Sequence, residues 1–550
     1  MSEGFDLSTV FGTVAAAVPD REVVVQGGRR VTYAAMDARV DRLAAFLTAR
    51  GLGCHTERGA LAGHESGQDH VGLYLRNGPE YLEAMVGAYR ARVAPVNVNY
   101  RYVEEELEFL LRDAGVTALV YHAEFAPRIA AVAPRLPRLR VLVQVADATG
   151  NRLLPGAVSY GQALAAGEAA ALARPEPSPD DLYIAYTGGT TGMPKGVLWR
   201  QDDIYVSSMG GTPYGGDAPF ASYDAIAANA VATAGFLRML LITPLMHAAA
   251  QWSSFHMISG GGAIVMPPAA ARFDARAALE TAARERVLTI PLIGDAMARP
   301  LIDELAARRY DLGGLAAFVN GSAPLTPPVR ERLLAAVPHV SVLDAVGSSE
   351  TGIQLDQTSQ KGAPAETAVF TAKPETSVVD DAFTRELRPG DGEGWLARRG
   401  RVPLGYLGDP EKSARTFPVI DGVRWSVPGD RARLREDGRI ELLGRGSVTI
   451  NSGGEKIFVE EVERALAHHP AVRDVVVVGR PSERWGSEPV ALVALAPGTD
   501  VSDEELLAEC ARHVAGFKVP KAVVRCAELE RSPSGKADYR WARTLAEEAG

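Results

Sequence analysis

Residues 186–197 read YTGGTTGMPKGV, from Tyr186 to Val197. The stretch follows DLYIAY (181–186), an apolar-rich run of strand length. Gly188, Gly189, Gly192 and Gly196 let backbone amides approach a bulky anion closely. Thr187, Thr190 and Thr191 add hydroxyl donors, and Lys195 adds a positive charge. Together they make a strand followed by a phosphate-cradling loop. It is not the Walker arrangement, because Lys195 follows Pro194 and no GK[ST] is present. The plainer alternative is a Gly/Thr hairpin turn.

Toward the N-terminus, helical and strand patterns alternate. Residues 31–50 carry helical spacing, with Thr32 placed to cap it. Strands are expected at 71–75, 94–98 and 118–122, and helices at 79–92 and 103–113. This order argues for a largely parallel sheet covered by helices. Residues 54–70 lack a pattern and read as a surface loop, and 164–180 read as an Ala- and Pro-rich linker. Toward the C-terminus, a helix is expected at 459–469 and strands at 474–479 and 490–495. A second helix is expected at 502–514, with Ser502 and Glu505 forming a capping box. The last hundred residues thus read as a small α+β unit.

A chain of 550 residues is long for one domain and needs no disulfides to hold its core. Its net charge of −10 disfavours nucleic acid as a partner. Cys54, Cys510 and Cys526 are far apart in sequence and fit neither a disulfide framework nor a zinc site. No run reaches the roughly 18 apolar residues that cross a bilayer, and the N-terminus lacks the pattern of a signal peptide. A cytoplasmic location is therefore expected.

Further motifs follow in order. They are VNGSAPL (319–325), DAVGSSETG (344–352), SVPGDRARL (426–434), LLGRGSVTINSGGEKIFVEEVE (442–463) and RSPSGKADYRW (531–541). With YTGGTTGMPKGV, this set resembles the adenylate-forming superfamily over nearly the whole chain. GEGWLARRGRVPLGYLGDPEKSARTF (392–417) is similar to FadD-type acyl-CoA synthetases acting on fatty acids and steroid side chains.

The resemblance implies an α/β fold. A large multi-sheet N-terminal domain spans about 1–445, a hinge falls at Gly446–Ser447, and a small mobile α+β domain covers 448–550. It implies ATP, Mg²⁺ and coenzyme A as partners of a small-molecule carboxylic acid, with a homodimer as a further expectation. Thr187, Gly188, Gly189, Thr190, Thr191 and Lys195 would meet phosphates. Gly321, Ser322 and Ala323 would lie along the adenine, and Ser349, with Glu350 the family's Thr/Glu pair, would belong to the nucleotide site. Glu350 would help to hold Mg²⁺, a role that suits a hard oxygen ligand. Asp430 would accept from the ribose hydroxyls, and Arg445 would add a ribose or phosphate contact. Ser452, Gly453 and Gly454 would line the path of the coenzyme A thiol arm. Lys536 would stabilise the carboxylate and α-phosphate during adenylation.

ITPLMHAAAQW (242–252) resembles the family's motif ahead of the acyl pocket, with His247 at its marked position. The resemblance assigns His247, Ala248, Ala249 and Trp252 to the acid, and counts His247 with Lys536 and Glu350 as catalytic. No Asp stands there to pair with an amine, so an acid without one is favoured. The alanines, with Gly260, Gly261 and Gly262, would leave a roomy apolar pocket, unless they serve helix packing. Gly188, Val346 and Ser447 depart from the family's usual Ser, Tyr and Asp or Lys. Three rivals therefore stay open: an enzyme loading a carrier protein, one retaining a single half-reaction, and an inactive binding protein.

Overall fold

The computed structural model describes residues 4–170, 175–189, 192–213, 215–216, 218–268, 273–363, 365–452, 455–482, 485–531 and 537–549, without the side chains of 188, 189, 192, 193, 445, 447, 451, 455 and 456. They form a mixed α/β fold of two compact units. The first comprises Met1–Pro291, Tyr310–Ala316 and Arg401–Phe417. The second comprises Leu292–Arg309, Ala317–Gly400 and Pro418–Gly550.

In the first unit, an eight-stranded sheet runs in the order Gly405–Tyr406, Gly192–Arg200, Leu182–Gly189, Ala94–Asn97, His70–Tyr74, Val116–His122, Val141–Val145, Val158–Ser159. From Leu182–Gly189 outward to the last strand its pairs are parallel. His70–Tyr74 and Ala94–Asn97 are wholly buried, as strands covered on both faces must be. The helices Tyr33–Ala49 and Pro79–Arg90 occupy the segments expected, and Thr32 caps the first by accepting from Ala35 N–H. Residues 54–70 are held by a Cys54–Gln68 bridge and hold one short 3-10 turn.

The expected linker at 164–180 is a helix in its first part. Tyr160–Ala169 is helical, with a capping box between Ser159 and Gln162. Its Ala-rich run favours helix. A Cβ on Gly167 would stand 1.7 Å from the Arg42 carbonyl, so glycine lets this helix approach Tyr33–Ala49. The weak contrast between its apolar and polar faces hid this helix, which packs chiefly on Tyr33–Ala49.

In the second unit, Ala317–Asn320 pairs in parallel with Ser341–Ser348, which turns back antiparallel into Gly352–Ser359. Asp430–Leu434 pairs antiparallel with Ile440–Arg445. The C-terminal part holds the expected elements. The helix Val459–Ala467 ends at His468, the strands are Val472–Ser482 and Gly486–Leu495, and Asp503–Ala511 carries the Ser502–Glu505 capping box. Val477, Val493, Leu466 and Leu506 build its core. No helix among the described residues is long and apolar enough to cross a membrane.

Candidate functional site

The candidate residues divide between the two units. In the first, Leu182–Gly189 and Gly192–Arg200 form an antiparallel pair in which Thr187 faces Lys195 and Gly189 faces Gly192. Thr190 and Thr191 lie outside the described residues. Gly196 is required by packing as well, since a Cβ there would come within 2.6 Å of the Tyr186 ring. The Tyr186 hydroxyl donates to Asp113 at 2.6 Å. Burial, the larger cause, and the neighbouring Asp113 carboxylate hold that phenol protonated. The half-buried Lys195 donates from Nζ to the Tyr406 hydroxyl at 2.7 Å.

Asn97 reads in the sequence only as a polar break inside an apolar strand. It is 6% exposed and makes three hydrogen bonds. Its Nδ2 donates to the carbonyls of Tyr186 at 2.8 Å and Met246 at 2.7 Å, and its Oδ1 accepts from Tyr186 N–H at 2.8 Å. One side chain thus ties Tyr186, where the glycine- and threonine-rich segment starts, to the residue before His247. Asn77 does similar work beside it, donating to the Thr243 carbonyl and accepting from Leu245 N–H. Replacing Asn97 with alanine leaves three buried polar groups unmet, each worth about 1–3 kcal/mol. The expected result is a loss of about 3 kcal/mol, within the range of severe core substitutions. A lower urea midpoint with retained secondary structure would be its sign.

His247 is the N-cap residue of the helix Ala248–Ser259. Ala248 and Ala249 follow in its first turn, Ala249 exposed and Ala248 half-buried. Trp252 is buried, and its Nε1 donates to the Tyr183 hydroxyl at 3.1 Å. That hydroxyl donates in turn to Gln251 Oε1 at 2.9 Å. The glycines at 260–262 sit at the opposite end of this helix. A Cβ on Gly260 or Gly262 would come within 2.5–2.7 Å of Leu237, and Gly261 has φ +66° beside Ala230. Close packing accounts for these three.

In the second unit, Gly321, Ser322 and Ala323 follow the strand Ala317–Asn320. Ser322 is exposed at φ +66°, a region costly for a residue with a Cβ and found where a surrounding turn enforces it. Asn320 enforces it here. Its Nδ2 donates to the carbonyl of Ala323 at 3.2 Å and to Asp344 Oδ1 at 2.8 Å, and its Oδ1 accepts from Gly294 N–H. Asp344 also pairs with Arg330 at 2.9 Å. Burial pushes the Asp344 carboxyl up despite these partners.

Ser349 and Glu350 occupy the turn between Ser341–Ser348 and Gly352–Ser359. Glu350 is buried, with its N–H donating to Ser348 Oγ and its carbonyl accepting from Ser426 Oγ at 2.6 Å. Arg398 donates to the carbonyls of Thr351 and Ile353, fixing the same turn from below. Among the described residues, no three His, Cys, Asp or Glu gather into a metal cage. One carboxylate on a fixed turn fits Mg²⁺, which is commonly held by one or two carboxylates and the substrate's phosphates. Val346 lies against the apolar cluster of Leu355, Phe370 and Leu396.

Asp430 and Arg445 stand opposite each other as a register pair in their antiparallel strands. Gly446 N–H donates to the Gly429 carbonyl at 2.9 Å, closing the end of that ladder. Gly446–Val448, with Ser447 at its centre, forms a 3-10 turn. A Cβ on Gly446 would lie 2.7 Å from the Trp395 ring. Ser452 is buried and ends the strand Ile450–Ser452, while Gly453, Gly454 and Lys536 lie outside the described residues.

Comparisons with known proteins agree across the chain. The family model described as AMP-binding enzyme matches residues 11–407, and AMP-binding enzyme C-terminal domain matches 461–536. The chain is 55% identical over 546 residues to the "Medium-chain acyl-CoA ligase Mig" of Mycobacterium avium, covering 98% of each. It is 38% identical over 539 residues to a 3-oxocholest-4-en-26-oate–CoA ligase of Rhodococcus rhodochrous, covering 96% of this chain and 93% of that one. In fold it is similar to ATP-bound MatB from Rhodopseudomonas palustris, with TM-score 0.79, 23% identity, and coverage of 99% and 100%.

Proposed function

This chain belongs to the AMP-binding enzyme family and is an ATP-dependent acyl-CoA ligase, and from that premise we propose which residues carry its steps and which acids it takes. An acid oxygen attacks the α-phosphorus of ATP, and the bond to the β-phosphate breaks with release of pyrophosphate. The coenzyme A thiolate then attacks the acyl carbonyl, and AMP leaves. Thr187–Thr191 and Lys195 hold phosphates, Gly321–Ala323 border the adenine, Ser349 meets the nucleotide beside Glu350, Asp430 holds the ribose, and Arg445 adds a ribose or phosphate contact. Glu350 holds Mg²⁺, which when bound offsets charge on the phosphates. Lys536 stabilises the adenylation step. The domain 448–550 turns about Gly446–Ser447, and Ser452–Gly454 then border the thiol arm. No covalent nucleophile is needed, because positioning and fixed charge lower both barriers.

The observation that carries this reading is Asn97, whose side chain joins the carbonyls of Tyr186 and Met246. Phosphate loop and acid-facing helix are held as one piece, as in-line attack of acid on nucleotide requires. The relatives named for medium-chain and sterol-derived acids support a long or bulky apolar acid without an amine. A cytoplasmic location and a homodimer complete the proposal, the latter to be read by sedimentation.

The test is a panel of acids from acetate to sterol side chains, scored for pyrophosphate and CoA ester. Both products should peak with apolar acids of medium length or longer. Pyrophosphate release with acyl transfer only to a phosphopantetheinyl carrier would instead make the chain a carrier-loading enzyme. The same panel checks Ala249, exposed in the first helical turn after His247. Ala249→Trp should move the peak toward shorter acids. An unchanged profile would place Ala249 outside the acyl path.

A further inference from the structure

Lys195 is the cation of the phosphate loop, and a long side chain on a glycine-rich strand has many rotamers to lose on binding an anion. Its ammonium is nevertheless held by one aromatic side chain, at the hydroxyl and over the ring. Nζ lies 2.7 Å from the Tyr406 hydroxyl and 4.1 Å from the centroid of the Tyr406 ring. Tyr406 is only 2% exposed, so this contact forms largely out of water, where a cation over a ring counts for most.

The ring is itself fixed. Gly405–Tyr406 adds an edge strand to Gly192–Arg200, with Tyr406 opposite Val197. Leu404 N–H donates to the Leu198 carbonyl and Leu407 N–H to the Gly196 carbonyl, at 2.7 and 2.8 Å. Tyr406 N–H donates to Ser413 Oγ at 2.8 Å, and Phe417 packs on the ring at 5.6 Å between centroids. A second ammonium, that of Lys412, lies 5.3 Å from the same centroid. A segment more than two hundred residues along the chain therefore returns to the first unit and closes on the lysine of the phosphate loop.

We propose that Tyr406 is a positioning residue for phosphate recognition: it holds the Lys195 ammonium ready for the triphosphate of the nucleotide. The proposal rests on the reading of Lys195 as a phosphate contact. Tyr406 touches no substrate itself. It acts by limiting where Lys195 can go, so its loss affects ligands in proportion to the phosphate they carry.

The experiment is calorimetric binding to the purified full chain of two probes, α,β-methylene-ATP and adenosine. Tyr406→Phe keeps the ring and should weaken the triphosphate about threefold, while Tyr406→Leu should weaken it about thirtyfold. Adenosine should bind each variant as it binds the parent, provided melting shows the variants folded. Lys195→Ala should lose the triphosphate selectively, and adding Tyr406→Leu to it should cost nothing more. Equal weakening of adenosine and triphosphate would overturn the proposal, since Tyr406 would then be a general support of the fold. Tighter triphosphate binding by Tyr406→Leu would also overturn it, making the ring a restraint that the nucleotide must break. If Lys195→Ala weakens the triphosphate and the Tyr406 variants do not, Tyr406 has no part in it. If Lys195→Ala has no effect either, the phosphate role of Lys195 fails and the proposal falls with it.

Discussion

Lys536→Ala is expected to slow pyrophosphate release from ATP and acid by about 10²–10³, or roughly 3–4 kcal/mol, the usual loss when one preorganised charge contact to a transition state is removed. Supplied with a ready-made acyl-adenylate, the same variant should form the CoA ester at close to the parent rate. The asymmetry follows from the proposed turn at Gly446–Ser447, which brings the lysine to the α-phosphate in one half-reaction and away from it in the other. The ends of its segment are firmly set. Arg531 donates from Nε and Nη2 to Asp474 at 2.9 and 2.6 Å, and bridges antiparallel to Ala537. Asp474 lies on the strand Val472–Ser482. Stopped-flow measurement of each half-reaction decides the matter. Equal slowing of both would show that Lys536 serves no single step, and slowing of neither would make it a solvated surface lysine.

What was legible in the sequence is what short-range physics writes there. Apolar runs at 71–75 and 118–122 are buried strands, and Thr32 and Ser502 cap the helices that follow them, because each signal acts within four residues. The motif positions of the second unit fall at strand pairs and turns. Asp430 and Arg445 meet as a register pair, and Ser349 and Glu350 share one turn. The supports of those positions were not legible. Asn97 and Asn320 look like polar interruptions of apolar runs until the carbonyls that they hold are known. Tyr406 pairs with a strand more than two hundred residues away, and nothing local announces that partner. The glycines at 260–262 could be read two ways for a related reason: an empty side chain can leave room for a ligand or admit a neighbour, and Leu237 and Ala230 are the neighbours admitted here.

Asp430→Ala is expected to raise the KM for ATP by about 10², with smaller change in the rate at saturation. A carboxylate accepting from both ribose hydroxyls forms charge-assisted bonds of about 1.5–3 kcal/mol each, and tenfold in affinity corresponds to about 1.4 kcal/mol. The structure gives the carboxylate a rigid base. Asp430 opens the strand Asp430–Leu434 and follows Gly429, whose φ of +106° is open to glycine and strained for other residues. Gly446 N–H closes the ladder onto the Gly429 carbonyl, and Ser426, four residues earlier, is bonded to the carbonyl of Glu350. Asp430 and the turn that carries Glu350 are therefore tied together through Ser426. Asp430→Asn separates charge from geometry, since its amide keeps one acceptor oxygen in place. It should fall between parent and alanine variant in KM. With 2′-deoxy-ATP, which lacks one of the two hydroxyls, part of the difference between parent and alanine variant should disappear. An alanine variant with parental KM for ATP, folded by circular dichroism, would remove Asp430 from the nucleotide site. A loss equally large for ATP and its 2′-deoxy form would show that Asp430 steadies the turn and does not meet the 2′-hydroxyl.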